Sequence, residues 1–180
     1  VSHNSVLCPD KVYWIDGLGA EFLPYLLSLI EEKHSNMKVV RSQITRTTIP
    51  SSTSLNRFDG EKVIKYGALD ELGHDAHGYK YLYTLNEELA VLKNIINEII
   101  DTCQKQKTTI AIVSDHGLSC LSRKVSSKKY DGKFEHEGRY IKTSSEAETD
   151  HDYLVHKNEK DEQFYKVALI HCSFAKVPTH

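Results

Sequence analysis

Residues 112–117 read Ile-Val-Ser-Asp-His-Gly, and this stretch decides the fold of the chain. A β-branched run delivers an adjacent carboxylate and imidazole, Asp115 and His116, to a glycine that ends it. Parallel strands hand ligands to a metal in this way, at their carboxyl ends. Taken alone, Asp115-His116 also reads as a helix cap followed by a surface histidine. Four other segments supply partners of matching chemistry. Residues 11–16 form another apolar run ending in an acid, Asp16, before Gly17-Leu18-Gly19. Asp70-Glu71-Leu72-Gly73-His74 sets a carboxylate and an imidazole four residues apart, Thr48-Ile49-Pro50-Ser51 offers a hydroxyl at a turn into a helix, and the chain stops at Thr179-His180. Acids, imidazoles and one hydroxyl suit a hard or borderline divalent cation better than a cysteine-rich set would.

Residues 108–114 form the strand that carries this motif, and the helix that feeds it has the clearest period in the chain. Leu82, Leu85, Leu89, Leu92, Ile95, Ile96, Ile99, Ile100 and Cys103 make one apolar stripe. Residues 11–16 read as a buried strand. In residues 21–33, Phe22, Leu23, Leu26, Leu27, Leu29 and Ile30 recur at helical spacing, with Pro24 tolerable only in the first turn or so. Residues 38–47 offer a second strand, 63–69 another, and 51–57 the first turns of a helix beginning near Pro50. Alternating strands and helices imply parallel pairing with right-handed crossovers. The expected fold is therefore α/β, a mostly parallel sheet flanked by helices in a single domain. Asp16, Thr48, Asp70, Asp115 and His116 all follow strand candidates, so this fold brings them to one edge. After Gly117 the character changes. Residues 118–142 are basic and irregular and 143–163 polar, acidic and aperiodic; both read as loop with a short hairpin, and 164–174 as a late strand.

Composition sets outer bounds on function. At 180 residues the chain can bury one sizeable core. With 39% hydrophobic and 27% charged residues and a formal charge of −2, it carries no global argument for binding nucleic acid or a membrane. Cys8, Cys103, Cys120 and Cys172 are widely spaced without a C-x-x-C, which suggests neither a zinc finger nor a disulfide framework. Free thiols in a reducing, cytoplasmic compartment are the expectation. No apolar run approaches the ~20 residues of a membrane span. The chain opens at Val1 and reads as a segment of a larger protein.

A threonyl hydroxyl is a poor nucleophile at neutral pH unless activated, and a bound divalent metal is one way to activate it. Thr48 is the candidate, placed at a helix N-terminus where main-chain amides also receive phosphate oxygens. Ser51, Ser52 and Thr53 are rival hydroxyls, and a plain N-cap is the alternative role for Thr48. Two metals about 3.5–4 Å apart would stabilise the attacking and leaving oxygens of an in-line displacement.

In this order, Asp16-Gly, Thr48-x-Pro-Ser, Asp70-x-x-Gly-His74, Asp115-His116-Gly and Thr179-His180 resemble the alkaline phosphatase superfamily. The D-x-x-G-H and D-H-G elements are similar to those of nucleotide pyrophosphatase/phosphodiesterases, and Thr48-Ile-Pro-Ser to the sulfatase C-x-P-S-R element with threonine for cysteine. The Asp-Gly-Leu-Gly opening, Ser-Asp-His-Gly, His136-Glu-Gly-Arg139-Tyr140 and His171-x-Ser-Phe most resemble PglZ domains, the phosphatase modules of BREX-type phage defence systems. The resemblance covers residues 11–180. It implies an alkaline phosphatase-like core and a metal-dependent phosphatase or phosphodiesterase acting on a phosphate ester with a threonine nucleophile. It further implies one divalent metal on Asp16, Thr48, Asp115 and His116 and a second on Asp70, His74 and His180. Zinc is the usual family metal, with manganese or magnesium in relatives. Nucleic acid and other defence-system proteins are the partners it suggests, and no membrane.

The departures from the family pattern are specific. Ser51 stands where phosphodiesterases carry an asparagine that holds the phosphoryl group. PglZ domains continue past the last histidine with a glycine pair and an acidic-apolar segment, so truncation after His180 with loss of the last strand is expected. His136 is an alternative to His180 as last ligand, Arg139 a bidentate phosphate clamp or a solvated charge, and His77 a ligand, a neighbour of the ligands or a solvent histidine. His171 reads as structural or surface. A dinucleotide-binding fingerprint fails because its third glycine position is Phe22. No G-x-S-x-G elbow is present for a Ser-His-Asp hydrolase. The remaining rival is a non-catalytic, metal-stabilised scaffold docking proteins or DNA. The basic stretch with Arg123, Lys124, Lys128, Lys129, Lys133, Arg139 and Lys142 suits it, diluted by Asp131, Glu135 and Glu137.

Overall fold

A computed structural model describes residues 8–33, 37–75, 81–104, 108–117, 140–149 and 153–168, with the main chain alone at 74, 75, 81, 82 and 168. Its parallel sheet is built on β1 (Lys11–Ile15). This strand pairs on one side with β2 (Val63–Tyr66) and on the other with β3 (Ile110–Val113), both parallel, in the order β2-β1-β3. A central parallel strand is covered on both faces, which is why Val12, Tyr13, Trp14 and Ile15 follow one another without polar interruption. Successive side chains still point to opposite faces. Tyr13 and Ile15 enter the main core, and Trp14 faces the other way against Phe58, ring centroids 5.6 Å apart and edge-on.

Three helices supply the rest of that core. A short 3-10 turn, Ala20–Phe22, leads into α1 (Leu23–Glu32), where Pro24 sits in the first turn and its missing N–H has no helical partner to lose. A single turn, α2 (Thr53–Asn56), precedes β2; α3 (Ala68–Asp75) follows it; and α4 (Tyr81–Cys103) packs against both α1 and α3. Leu92, Ile95, Ile96, Ile99, Ile100 and Cys103 of the α4 stripe meet Tyr13, Ile15, Leu26, Leu29 and Leu69 in one buried cluster. Among the described residues, no helix is long and apolar enough to cross a membrane.

The structure departs from the sequence reading in four places. The strand expected over 63–69 ends at Tyr66, and Leu69 already lies in α3. Residues 38–47 form no strand, and Val39, Val40 and Ile44 are 44, 69 and 67% exposed. Both edges of β1 are already taken, and the adjacent Val39 and Val40 would point to opposite faces of any strand, so no single apolar face exists to bury. The helix expected near Pro50 begins only at Thr53. The last departure lies after residue 139, where loop with a short hairpin and one late strand was expected. There β4 (Tyr140–Thr143), β5 (Tyr153–Lys157) and β6 (Phe164–Ala168) form a second, antiparallel sheet in the order β4-β6-β5. Its burial rests on tyrosines: Tyr140, Tyr153 and Tyr165 are 2–5% exposed, and the Tyr140 and Tyr165 rings meet edge-on at 5.6 Å. The late strand at 164 is thus real but antiparallel. What the described residues contain of the expected architecture is a three-stranded parallel sheet flanked by helices.

Ile96 is fully buried between sheet and helices, so Ile96→Ala should lower the unfolding free energy by about 2–5 kcal/mol in urea titrations. Ile44→Ala, at an exposed position, should change it by no more than about 0.5 kcal/mol.

Candidate metal centre

The register that pairs Trp14 with Val113 carries forward to bring Asp16 level with Asp115 just past the strand ends. The glycines that follow let the two loops close on each other. Gly17 adopts φ 75°, and a Cβ on Gly117 would lie 2.7 Å from the Gly19 Cα, so main chain abuts main chain where a side chain has no room. This explains physically why both acidic motifs end in glycine.

His116 is the hub of the resulting cluster. Its Nε2 lies 3.4 Å from Asp16 Oδ1, 3.3 Å from Asp115 Oδ2 and 2.9 Å from Thr53 Oγ1. Thr53 Oγ1 also lies 3.4 Å from Asp16 Oδ1. Asp70, in the first turn of α3, joins from below: ligand atoms of Asp16, Asp70 and His116 all fall within 4.8 Å of one another. Asp16, Asp115 and His116 are only 2–4% exposed.

The outward oxygens of the acids are occupied. Trp14 Nε1 donates to Asp115 Oδ1 at 2.9 Å, and Lys65 Nζ pairs with Asp16 Oδ2 at 2.5 Å. Lys65 stands beside Trp14 in the strand register, with its ammonium 4.5 Å above the indole. The inward Asp115 Oδ2 is buried and has no hydrogen-bond partner among the described residues. Burial pushes the Asp16 carboxyl above the usual carboxylate range; the Lys65 ammonium opposes this, while the charges of Asp115 and Asp70 push it further up.

Such a cluster could hold a metal ion. Carboxylate and imidazole ligands bind zinc at about 2.0–2.2 Å, which sets neighbouring ligand atoms roughly 3–4.5 Å apart around one ion. The separations of His116 Nε2 from Asp16 Oδ1 and Asp115 Oδ2, 3.4 and 3.3 Å, lie in that interval. A buried carboxylate oxygen without a hydrogen is moreover what a cation would satisfy.

Other sequence candidates fall elsewhere. The hydroxyl set against the cluster is that of Thr53, one of the rivals, and not that of Thr48. The hydrogen bonds of Thr48 are made by its main chain, whose N–H donates to Asn56 Oδ1 at 2.9 Å and whose carbonyl accepts from Asn56 Nδ2 at 3.2 Å. Because the helix starts at Thr53 with Ser52 in the N-cap position, Thr48 is neither cap nor helix terminus. Ser51 is half-buried in the same loop. His74 lies on α3 one turn beyond Asp70, and its side chain is outside the described residues, as are His77, His136, Arg139, His171 and His180 altogether.

Five residues of this region escaped the sequence reading. Trp14 and Lys65 could have been found from the alternation of β1 and β2, which sets them side by side on the face away from the core. Asn56 and Asn158 hold the loop that carries Thr53. Asn56 spreads its amide over the carbonyls of Thr48, Pro50 and Ser52, and fully buried Asn158 donates to Ile49 O at 2.9 Å. Lys160 in the same β5–β6 turn donates to Leu55 O at 2.6 Å. No local pattern announces these contacts.

Comparison with protein-family models, with curated proteins and with solved structures finds no match for this chain.

The Asp16 shift has a consequence for stability. An acid whose pKa is higher folded than unfolded favours folding when protonated, so stability is lost as pH rises through the raised value. Metal-free Asp16→Asn should therefore be more stable than the wild type at pH 7, with the difference shrinking as pH falls toward 4. Urea titrations in a chelating buffer across this range measure it. A difference independent of pH would contradict the assignment.

Proposed function

We propose that the chain is a metal-dependent phosphoester hydrolase of the alkaline phosphatase type, a PglZ-like phosphatase or phosphodiesterase, with Thr53 as nucleophile. The observation that carries this reading is the Thr53 hydroxyl, 2.9 Å from His116 Nε2 and 3.4 Å from Asp16 Oδ1. A hydroxyl beside a carboxylate and an imidazole has neighbours able to activate it as a nucleophile for covalent phosphoryl transfer. Asp16, Thr53, Asp115 and His116 would hold one divalent cation, and Asp70, His74 and His180 a second, zinc in first place with manganese or magnesium as alternatives. Bound there, divalent cations make the hydroxyl acidic enough to react near neutral pH and balance negative charge on the phosphoryl oxygens.

Within this reading the chain's own groups have separate tasks. Thr53 Oγ1 attacks phosphorus as the bond to the ester oxygen breaks, giving a phosphothreonine and the free alcohol; water then hydrolyses the phosphothreonine to regenerate the hydroxyl. Asn56 and Asn158 keep the Thr53 loop in register with the acids. Nucleic acid as the ester, and defence-system proteins as partners, follow from the PglZ resemblance alone.

The test is hydrolysis of activated aryl phosphate mono- and diesters by the full chain supplied with zinc or manganese. Thr53→Ala should lower turnover by orders of magnitude, Thr53→Ser should keep part of it, and Thr48→Ala should stay within a few-fold of wild type. Loss of activity in Thr48→Ala with Thr53→Ala active would reverse the assignment. A wild-type chain that binds metal yet hydrolyses neither ester would favour the non-catalytic scaffold.

A further inference from the structure

We infer that Trp14 is a positioning residue of the metal centre, whose indole N–H turns Asp115 so that a single oxygen, Oδ2, faces His116 and the cation. The inference rests on the metal reading of the site given above.

Trp14 lies on the face of β1 opposite Tyr13 and Ile15 and is 5% exposed. Its Nε1 stands 2.9 Å from Asp115 Oδ1, a separation at which the N–H is committed to that oxygen. A carboxylate held in this way at one oxygen is disfavoured from chelating with both. The other oxygen, Oδ2, is the one 3.3 Å from His116 Nε2 and without a hydrogen-bond partner among the described residues. The same division recurs at Asp16, where Lys65 takes Oδ2 and leaves Oδ1 toward His116 and Thr53. Trp14 joins the two acids physically, because the Lys65 ammonium rests 4.5 Å above its ring while Phe58 meets the ring edge-on. The indole is thus held by both Lys65 and Phe58, and its N–H direction orients Asp115. Hydrogen bonds that orient a ligating side chain typically contribute about 10–100-fold in metal affinity.

The experiment is a zinc titration of the full chain, with no activity measured. Trp14→Phe keeps a ring for Phe58 and Lys65 but removes the donor. Its zinc dissociation constant, from competition with a chromogenic chelator, should rise about tenfold or more, with the far-ultraviolet circular dichroism of the metal-free chain unchanged. Unaltered zinc affinity in a folded Trp14→Phe chain would overturn the inference. A second measurement needs no variant, because Trp14 is the chain's one tryptophan. Its emission should change during the wild-type zinc titration, with the midpoint given by the chelator. Emission that stays constant while zinc saturates the protein would equally overturn the inference and leave the metal reading standing. A wild-type chain that binds no zinc would overturn the metal reading, and the positioning role with it.

Discussion

Three carboxylates, Asp16 and Asp115 past the ends of β1 and β3 and Asp70 in the first turn of α3, are the constraint around which the rest of this structure is arranged. Like charges taken out of water repel one another and lose hydration together, a cost of several kcal/mol per ion in real proteins. Each neighbour of the cluster offsets part of it. Lys65 brings a positive charge to Asp16, Trp14 a donor to Asp115, and Thr53 a hydroxyl to Asp16. The raised pKa of Asp16 shows that these neighbours leave a remainder. Carboxylates whose charged form is disfavoured by burial and by one another are carboxylates that a bound cation would stabilise, and this links the electrostatics of the strand ends to the function proposed.

The cluster also explains how the two sheets are coupled. The parallel sheet carries the acids, but the hydroxyl sits on a four-residue turn that cannot hold itself in place, since one helical turn is not stable in isolation. Asn56 fastens the turn to its own loop, and the β5–β6 turn fastens the loop to the antiparallel sheet through Asn158 and Lys160. Asn158 also closes its own turn, accepting the Lys160 N–H at 2.8 Å. A buried amide with its donors and acceptor engaged is costly to disturb. The antiparallel sheet is thereby tied to the segment that carries Thr53, on both sides of that residue, at Ile49 and at Leu55.

What the sequence made legible follows the reach of each interaction. The strand at 11–16, the α4 stripe and the Asp-His-Gly ending depend on neighbours within a few positions, and each lies where its pattern indicated. Asp16, Asp70 and His116 were legible as candidate ligands because each ends or follows an apolar run. The identity of the hydroxyl was not, because it depends on where a helix starts between Thr48 and Thr53. The loop before that start is held by Asn56 and by Asn158, the latter about a hundred residues away, contacts that no local pattern reveals. The antiparallel sheet was hidden for a different reason. Its apolar face is made of tyrosines among charged residues, so composition suggested a solvated loop while cross-strand aromatic packing favoured strands.

The two faces of β1 divide these demands. Tyr13 and Ile15 point into the helix-covered core, where their burial stabilises the fold without reference to the site. Trp14, between them, points to the face where Lys65, Phe58 and Asp115 meet. The alternation of a strand thus places stability and chemistry on neighbouring residues yet on opposite sides of one backbone. Because β1 is central and pinned on both edges, its position is fixed independently of the loops that follow it. Asp16 inherits that rigidity directly, as the first residue past the strand, with its own N–H held by Tyr66 O at 2.9 Å. Asp115 lies one residue further beyond its strand and needs a side-chain anchor to match it, and the indole of Trp14 supplies one.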